Sequence, residues 1–176
     1  MSPLTTTLVL GGARSGKSAY AEAQARADGR ACVYVATGAA GDDEMHARID
    51  AHRARRGPDW RTIEEPLALA AVIAREANPD VVVLVDCLTL WLSNLMFAER
   101  DPERETRGLV AVLTEVAGPV ALVSNEVGLG LVPDTPLGRC FRDAQGRLNQ
   151  AVAAAVPRVV FVAAGLPLVL KPSWSG

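Results

Sequence analysis

The chain has 176 residues, of which 49% are hydrophobic, 22% charged and 5% aromatic, and 18 Lys and Arg against 20 Asp and Glu leave a net charge of −2. That length favours a single domain spanning residues 1–176 and able to bury roughly 70% of the surface its unfolded chain exposes. The near-neutral charge argues against a nucleic-acid coat, which needs surplus cations, and the apolar content argues against a disordered chain.

Taken in order, Val-rich runs of strand length alternate with helix-capable segments. Thr7–Leu10, Ala31–Ala36, Val81–Val85, Val120–Ser124 and Arg158–Ala163 are largely unalternated, as in strands buried on both faces of a parallel sheet. Lys17–Asp28 is Ala-rich and closed by Gly29, which predicts a helix with a C-terminal stop. Gly41–Arg56 starts acidic and ends basic, matching a helix dipole. Pro66–Asn78 reads as a helix with Pro in its first turn. Leu88–Val116 reads as two helices interrupted at Asp101-Pro102. Thr135-Pro136 supplies an N-cap and N1 proline for a helix running to about Val156. Strands separated by helices predict right-handed crossovers and a doubly wound α/β sheet with helices on both faces. The tail from Pro172 reads as loosely held. The run Val81–Leu92 is broken by Asp86 and is shorter than the about 20 residues a membrane span needs. No basic segment precedes the first apolar stretch, and Cys32, Cys87 and Cys140 have no metal spacing, so a cytoplasmic protein with reduced thiols is expected.

The segment Gly11-Gly12-Ala13-Arg14-Ser15-Gly16-Lys17-Ser18 fits G-x-x-x-x-G-K-[ST], follows a strand pattern and opens a helix. Its glycines let backbone N–H groups curl around phosphate oxygens. Lys17 adds a cation, Ser18 a hydroxyl for Mg²⁺, and the helix its positive end. Nucleoside triphosphate binding follows. Asp86 ends a central strand, where a carboxylate serves as a Mg²⁺ or nucleotide partner, or else caps the next helix. Thr37-Gly38 follows the second strand, and Ser124-Asn125-Glu126 follows the fourth and leads into a glycine-spaced loop; both read as walls of the same site.

Both histidines lie on the charged segment. At ~100° per residue of helix, His46 and His52 point about 120° apart, so they do not share one task. His46 sits among Asp42, Asp43 and Glu44, whereas His52 sits beside Arg48, Arg53, Arg55 and Arg56. Those cations would welcome an anionic ligand and keep the imidazole neutral and nucleophilic. From spacing alone a surface role remains open for either.

These residues resemble a known family. The 11–18 loop, Asp42-Asp43-Glu44-Met45 with Arg48-Ile49 and His52, Trp60-Arg61-Thr62 with Glu64, Asn125-Glu126-Val127-Gly128 with Gly130 and Val132-Pro133, and Phe141-Arg142-Asp143 with Gly146 and Asn149-Gln150 are similar to the bifunctional adenosylcobinamide kinase / adenosylcobinamide-phosphate guanylyltransferases of cobalamin biosynthesis. The resemblance runs from Thr7 to about Lys171. It implies a P-loop, RecA-like fold, commonly assembled as a trimer. It also implies ATP or GTP and Mg²⁺ as reaction partners, with adenosylcobinamide and its phosphate as acceptors. By the same resemblance His52 carries GMP, and nucleotide contacts fall on the 11–18 loop, Thr37, Gly38 and Ala39, Arg53, Ala54, Arg55 and Arg56, Glu64 and Asp86. Asp86 is shorter than the Glu of some relatives. Two other readings are a P-loop kinase with no covalent step and a RecA-like nucleotide switch.

Overall fold

The computed structural model describes residues 4–38 and 60–172. The expected helix Gly41–Arg56, and with it Ala39, His46, His52, Arg53, Ala54, Arg55 and Arg56, lies outside the described residues, as does the tail beyond Pro172.

In chain order the described elements are β1 (Thr7–Gly11), α1 (Lys17–Asp28), β2 (Ala31–Ala36), β3 (Trp60–Glu64), α2 (Leu69–Glu76), β4 (Val81–Asp86), α3 (Leu88–Phe97), α4 (Pro102–Glu115), β5 (Val120–Asn125), α5 (Pro136–Ala155), β6 (Arg158–Ala163) and β7 (Leu166–Lys171). The strands form one seven-stranded sheet in the order β3-β2-β4-β5-β1-β6-β7, parallel throughout except for the antiparallel β6–β7 pair.

Strand alternation sends successive side chains to opposite faces. Leu8, Val33, Val83, Val85 and Leu122 pack on one face with Leu69, Ile73, Leu88, Trp91, Leu109 and Leu148 from α2 to α5. Val9, Tyr34, Leu84, Val123 and Val160 pack on the other with Ala21 and Ala25 of α1. Helices on both faces explain why the central strands carry no polar alternation. Full burial of a Leu or Val side chain contributes about 1.5–3 kcal/mol, so this double core dominates stability.

The helix starts follow their caps. Asp101 accepts from the N–H groups of Glu103 (2.9 Å) and Arg104 (3.3 Å), and Thr135 Oγ1 accepts from Gly138 N–H (3.1 Å); Pro102 and Pro136 occupy the first turn of each helix. The helix expected over Pro66–Asn78 is shorter, Leu69–Glu76. Glu65 Oε1 accepts from the N–H groups of Leu67 (2.9 Å) and Ala68 (2.8 Å), which fixes a turn where Pro66 would have started the helix. At the other end the Asn78 side chain accepts from Asp80 N–H at 3.0 Å and turns the chain into β4.

β3 and β7 fall outside the runs singled out by sequence. Both are edge strands. β3 mixes polar and apolar residues without a continuous apolar run, and β7 contains Pro167, which is tolerated only where no ladder bond is needed. The β6–β7 turn has Ala164 at φ 51° and Gly165 at φ 79°, the two left-handed residues of a tight hairpin turn.

A candidate nucleotide site at the carboxyl rim of the sheet

The carboxyl ends of the parallel strands converge on one rim, where Gly11, Thr37, Glu64, Asp86 and Asn125 terminate or follow β1, β2, β3, β4 and β5. Open α/β sheets bind ligands there.

The phosphate loop is shaped by two constraints. Gly16 has φ 93°, and a Cβ on it would stand 3.1 Å from Gly165 Cα. A Cβ on Gly11 would meet Ser15 Oγ and the Val162 carbonyl, each at 2.5 Å. The β6–β7 turn therefore braces the loop, and the Gly165 N–H donates to Ser15 O at 2.8 Å. Nothing in sequence pattern tied Gly165 to the loop; its tie is spatial. Gly16 is the N-cap of α1 and provides no capping side chain, leaving the first-turn N–H groups available to an anion. Lys17 is 9% exposed, and its ammonium donates to the Gly12 carbonyl at 2.9 Å, across the mouth of the loop. Ser18 follows in the first turn of α1, half-buried.

Asp86 is the last residue of β4 and is half-buried, and Cys87, not Asp86, is the N-cap of α3. The cap alternative for Asp86 is thereby removed. Burial, with the Asp86 charge added, pushes the Cys87 thiol up to about 11, while Lys17 acts in the opposite direction. This buried thiol is a packing residue.

Thr37 is fully buried. Its hydroxyl donates to Cys87 O (2.6 Å) and accepts from Cys87 N–H (2.8 Å), so the side chain is committed to joining β2 to β4. Asn94 of α3 donates to the carbonyls of Thr37 (2.7 Å) and Pro66 (3.2 Å). Gly38 is half-buried at this rim. Glu64 is exposed at the end of β3, with Ala36 as its register partner.

On the side of β5, Glu126 N–H donates to Gly11 O at 3.0 Å, and Gly11 and Asn125 are register partners. Asn125 N–H donates to Thr89 Oγ1 (2.9 Å), and its carbonyl accepts from Asn149 Nδ2 (3.1 Å). Ser124, Gln145 and Asn149 form a buried trio: Ser124 Oγ donates to Asn149 Oδ1 (2.7 Å), and Gln145 Nε2 reaches both Ser124 Oγ and Asn149 Oδ1 at 3.0 Å. The sequence pointed to the Ser124–Glu126 strand end; Thr89, Asn94 and Gln145, which hold the rim, gave no local signal.

Comparison with known proteins identifies the family. The cobinamide kinase / cobinamide phosphate guanyltransferase family matches residues 7–170. The chain is 53% identical over 167 residues to the bifunctional adenosylcobalamin biosynthesis protein CobP of Pseudomonas aeruginosa, covering 93% of this chain and 96% of that one. It is 41% identical over 179 residues to the bifunctional adenosylcobalamin biosynthesis protein CobU of Escherichia coli, covering 93% and 98%. Among solved structures, the fold resembles a prototypical ATPase of a bacterial type III secretion system (TM-score 0.57, 11% identity, 94% of this chain and 56% of that one). It also resembles the flagellar accessory protein FlaH of Methanocaldococcus jannaschii (TM-score 0.51, 10% identity, 95% and 78%). These likenesses concern the fold alone, a mostly parallel α/β sheet with helices on both faces. With residues 7–170 matched by the family and two relatives covering 93% of the chain, the protein belongs to the cobinamide kinase / cobinamide phosphate guanyltransferase family and is an enzyme of that bifunctional class.

Proposed function

We propose that the protein catalyses two successive group transfers in cobalamin assembly. In the first, the terminal hydroxyl of the aminopropanol arm of adenosylcobinamide takes the γ-phosphoryl group of ATP or GTP. In the second, a His52 ring nitrogen attacks the α-phosphorus of GTP, the α–β bridging P–O bond breaks and pyrophosphate leaves. The phosphate made in the first step then attacks that phosphorus, the N–P bond breaks, and adenosylcobinamide-GDP forms with His52 restored. Histidine suits this role because its neutral nitrogen is a nucleophile and its phosphoramidate passes the group on.

The observation that carries the reading is the complete phosphate loop, Gly11 to Ser18, between β1 and α1 in a chain that matches the bifunctional family over residues 7–170. Loop N–H groups and Lys17 bind and orient the triphosphate. The remaining nucleotide contacts fall to Thr37, Gly38 and Ala39, Arg53 to Arg56, and Glu64, with Thr37 acting through its backbone because its hydroxyl is held by Cys87. Support for His52 over His46 comes from the family resemblance and from neighbouring Arg53, Arg55 and Arg56, which suit a triphosphate.

The donors fit magnesium. That ion takes few protein ligands, keeping waters and substrate phosphates, and the Ser18 hydroxyl with the Asp86 carboxylate would hold it. Among the described residues no group of three or more His, Cys, Asp or Glu side chains could hold a metal. When bound, the ion supplies charge neutralisation at the phosphates.

Trimeric assembly in the cytoplasm completes the reading. Its support is the family resemblance together with edge strand β7, where Leu166 (73% exposed), Leu168, Val169 and Leu170 face solvent. An exposed apolar edge of this kind offers a surface on which another chain can pair. Among the described residues no helix is long and apolar enough to cross a membrane.

The test is covalent labelling with Mg²⁺ and GTP labelled at the α or γ phosphate, followed by denaturation. Acid-labile label retained from the α position alone, absent in His52→Ala and present in His46→Ala, is the expected result. No retained label removes the covalent step, and loss in His46→Ala instead moves it to the other histidine. Lys17→Ala is expected to lower both transfers by about 10²–10³-fold, as for loss of one charge-stabilising donor.

A further inference from the structure

Three carboxylates stand at the ends of parallel strands: Glu64 on β3, Asp86 on β4, and Glu126 directly after β5. The strand order β3-β2-β4-β5-β1 ranks them by distance from the phosphate loop. Glu126 follows the strand adjacent to β1, Asp86 ends the next, and Glu64 lies at the sheet edge. The Glu126 backbone donates to the carbonyl of Gly11, the residue that opens the loop. Asp86 pairs with Val123, so the chain continues beyond the level of Asp86 before Glu126 is reached.

This strand end is also anchored by side-chain hydrogen bonds. Thr89 holds the Asn125 N–H, Asn149 holds its carbonyl, and Asn149 is itself locked in the buried trio with Ser124 and Gln145. These bonds restrain the strand end they hold, and Gln145 Oε1 and Asn125 Oδ1 are the two buried oxygens of the network without a partner. The half-buried Glu126 carboxylate is oriented in turn, because Oε1 accepts from Gly128 N–H at 2.6 Å.

We propose that Glu126 is the catalytic residue that accepts the proton in the phosphoryl-transfer step. The acceptor O–H gives its proton to the Glu126 carboxylate as the new O–P bond forms. The bond from the γ-phosphorus to the β–γ bridging oxygen breaks, and ADP or GDP leaves. Asp86 and Ser18 are engaged on the metal side, which leaves Glu126 as the carboxylate beside the loop that is available to the hydroxyl. The inference rests on the kinase half of the proposed function.

The full chain and its Glu126→Gln variant separate the possibilities. Glutamine keeps an oxygen for Gly128 N–H and so preserves the turn, but it is not a base. With Mg²⁺, ATP and adenosylcobinamide, kcat for phosphorylation is expected to fall by about 10²–10⁴-fold with KM for ATP little changed. GTP α-label incorporation should fall far less, and Glu126→Asp should recover part of the phosphorylation. A kcat within about tenfold of the parent overturns the assignment. So does an equal loss of both half-reactions, which would make Glu126 a nucleotide-binding group. If the parent chain itself does not phosphorylate adenosylcobinamide, the kinase reading fails and the proposal fails with it. Should Glu126→Gln not fold, the same split measured in Glu126→Ala, which also lacks the base, decides the point.

Discussion

Thr37 and Cys87 hold each other twice: one hydroxyl donates to the Cys87 carbonyl at 2.6 Å and accepts from the Cys87 N–H at 2.8 Å. This closed pair joins the carboxyl ends of β2 and β4 immediately beside Asp86. It also explains why a Thr follows β2 in a fully buried position.

Thr37→Val keeps the shape but leaves the buried Cys87 N–H without a partner, while the Cys87 carbonyl keeps the Trp91 N–H at 3.2 Å. Leaving one such group unsatisfied costs about 1–3 kcal/mol, so a loss of that size is expected in urea unfolding. Thr37→Ser keeps the hydroxyl and should stay within about 1 kcal/mol of the parent. Equal stabilities for the Val and Ser variants would show that the hydroxyl contributes nothing.

Gly16→Ala places a Cβ on a residue at φ 93°, 3.1 Å from Gly165 Cα. Left-handed strain costs about 1–3 kcal/mol, and the loop must shift away from the β6–β7 turn. Thermal unfolding should show the destabilisation, and calorimetry should show weakened GTP binding. Gly12→Ala meets no atom within 4 Å of its new Cβ, and its stability loss should be smaller.

The three cysteines are free, with Cys140 exposed and Cys32 and Cys87 buried. Burial raises the Cys32 thiol, and raises that of Cys87 from 9.0 to about 11. A thiol reagent at pH 8 should therefore modify Cys140 quickly and the other two only as the protein unfolds. The folded state favours the protonated thiols, so their contribution to stability is complete below about pH 9 and is lost as pH rises towards 11. Urea midpoints measured across that window should fall. A Cys87→Ala variant with the same slope would remove Cys87 as the cause.

The phosphate loop and the parallel strands were legible because each follows from local chemistry. Gly11–Ser18 carries its own backbone freedom and its own cation, and Val81–Val85 can be apolar throughout only if both faces are covered. Asp101-Pro102 and Thr135-Pro136 announced two helix starts because a cap acts within a few residues. The sequence by itself thus determined the nucleotide loop, the central strands and the class of fold. Tertiary structure alone decided what depends on contacts between distant segments. It brought Gly165 against Gly16, bound Thr37 to Cys87, and set Gln145 and Asn149 behind Ser124. It also added β3 and β7 at the edges, where half-exposed strands need neither a buried apolar run nor every ladder bond. Hydrogen bonds between residues far apart in the chain leave no period or spacing to read, because only the packed sheet brings their partners within reach.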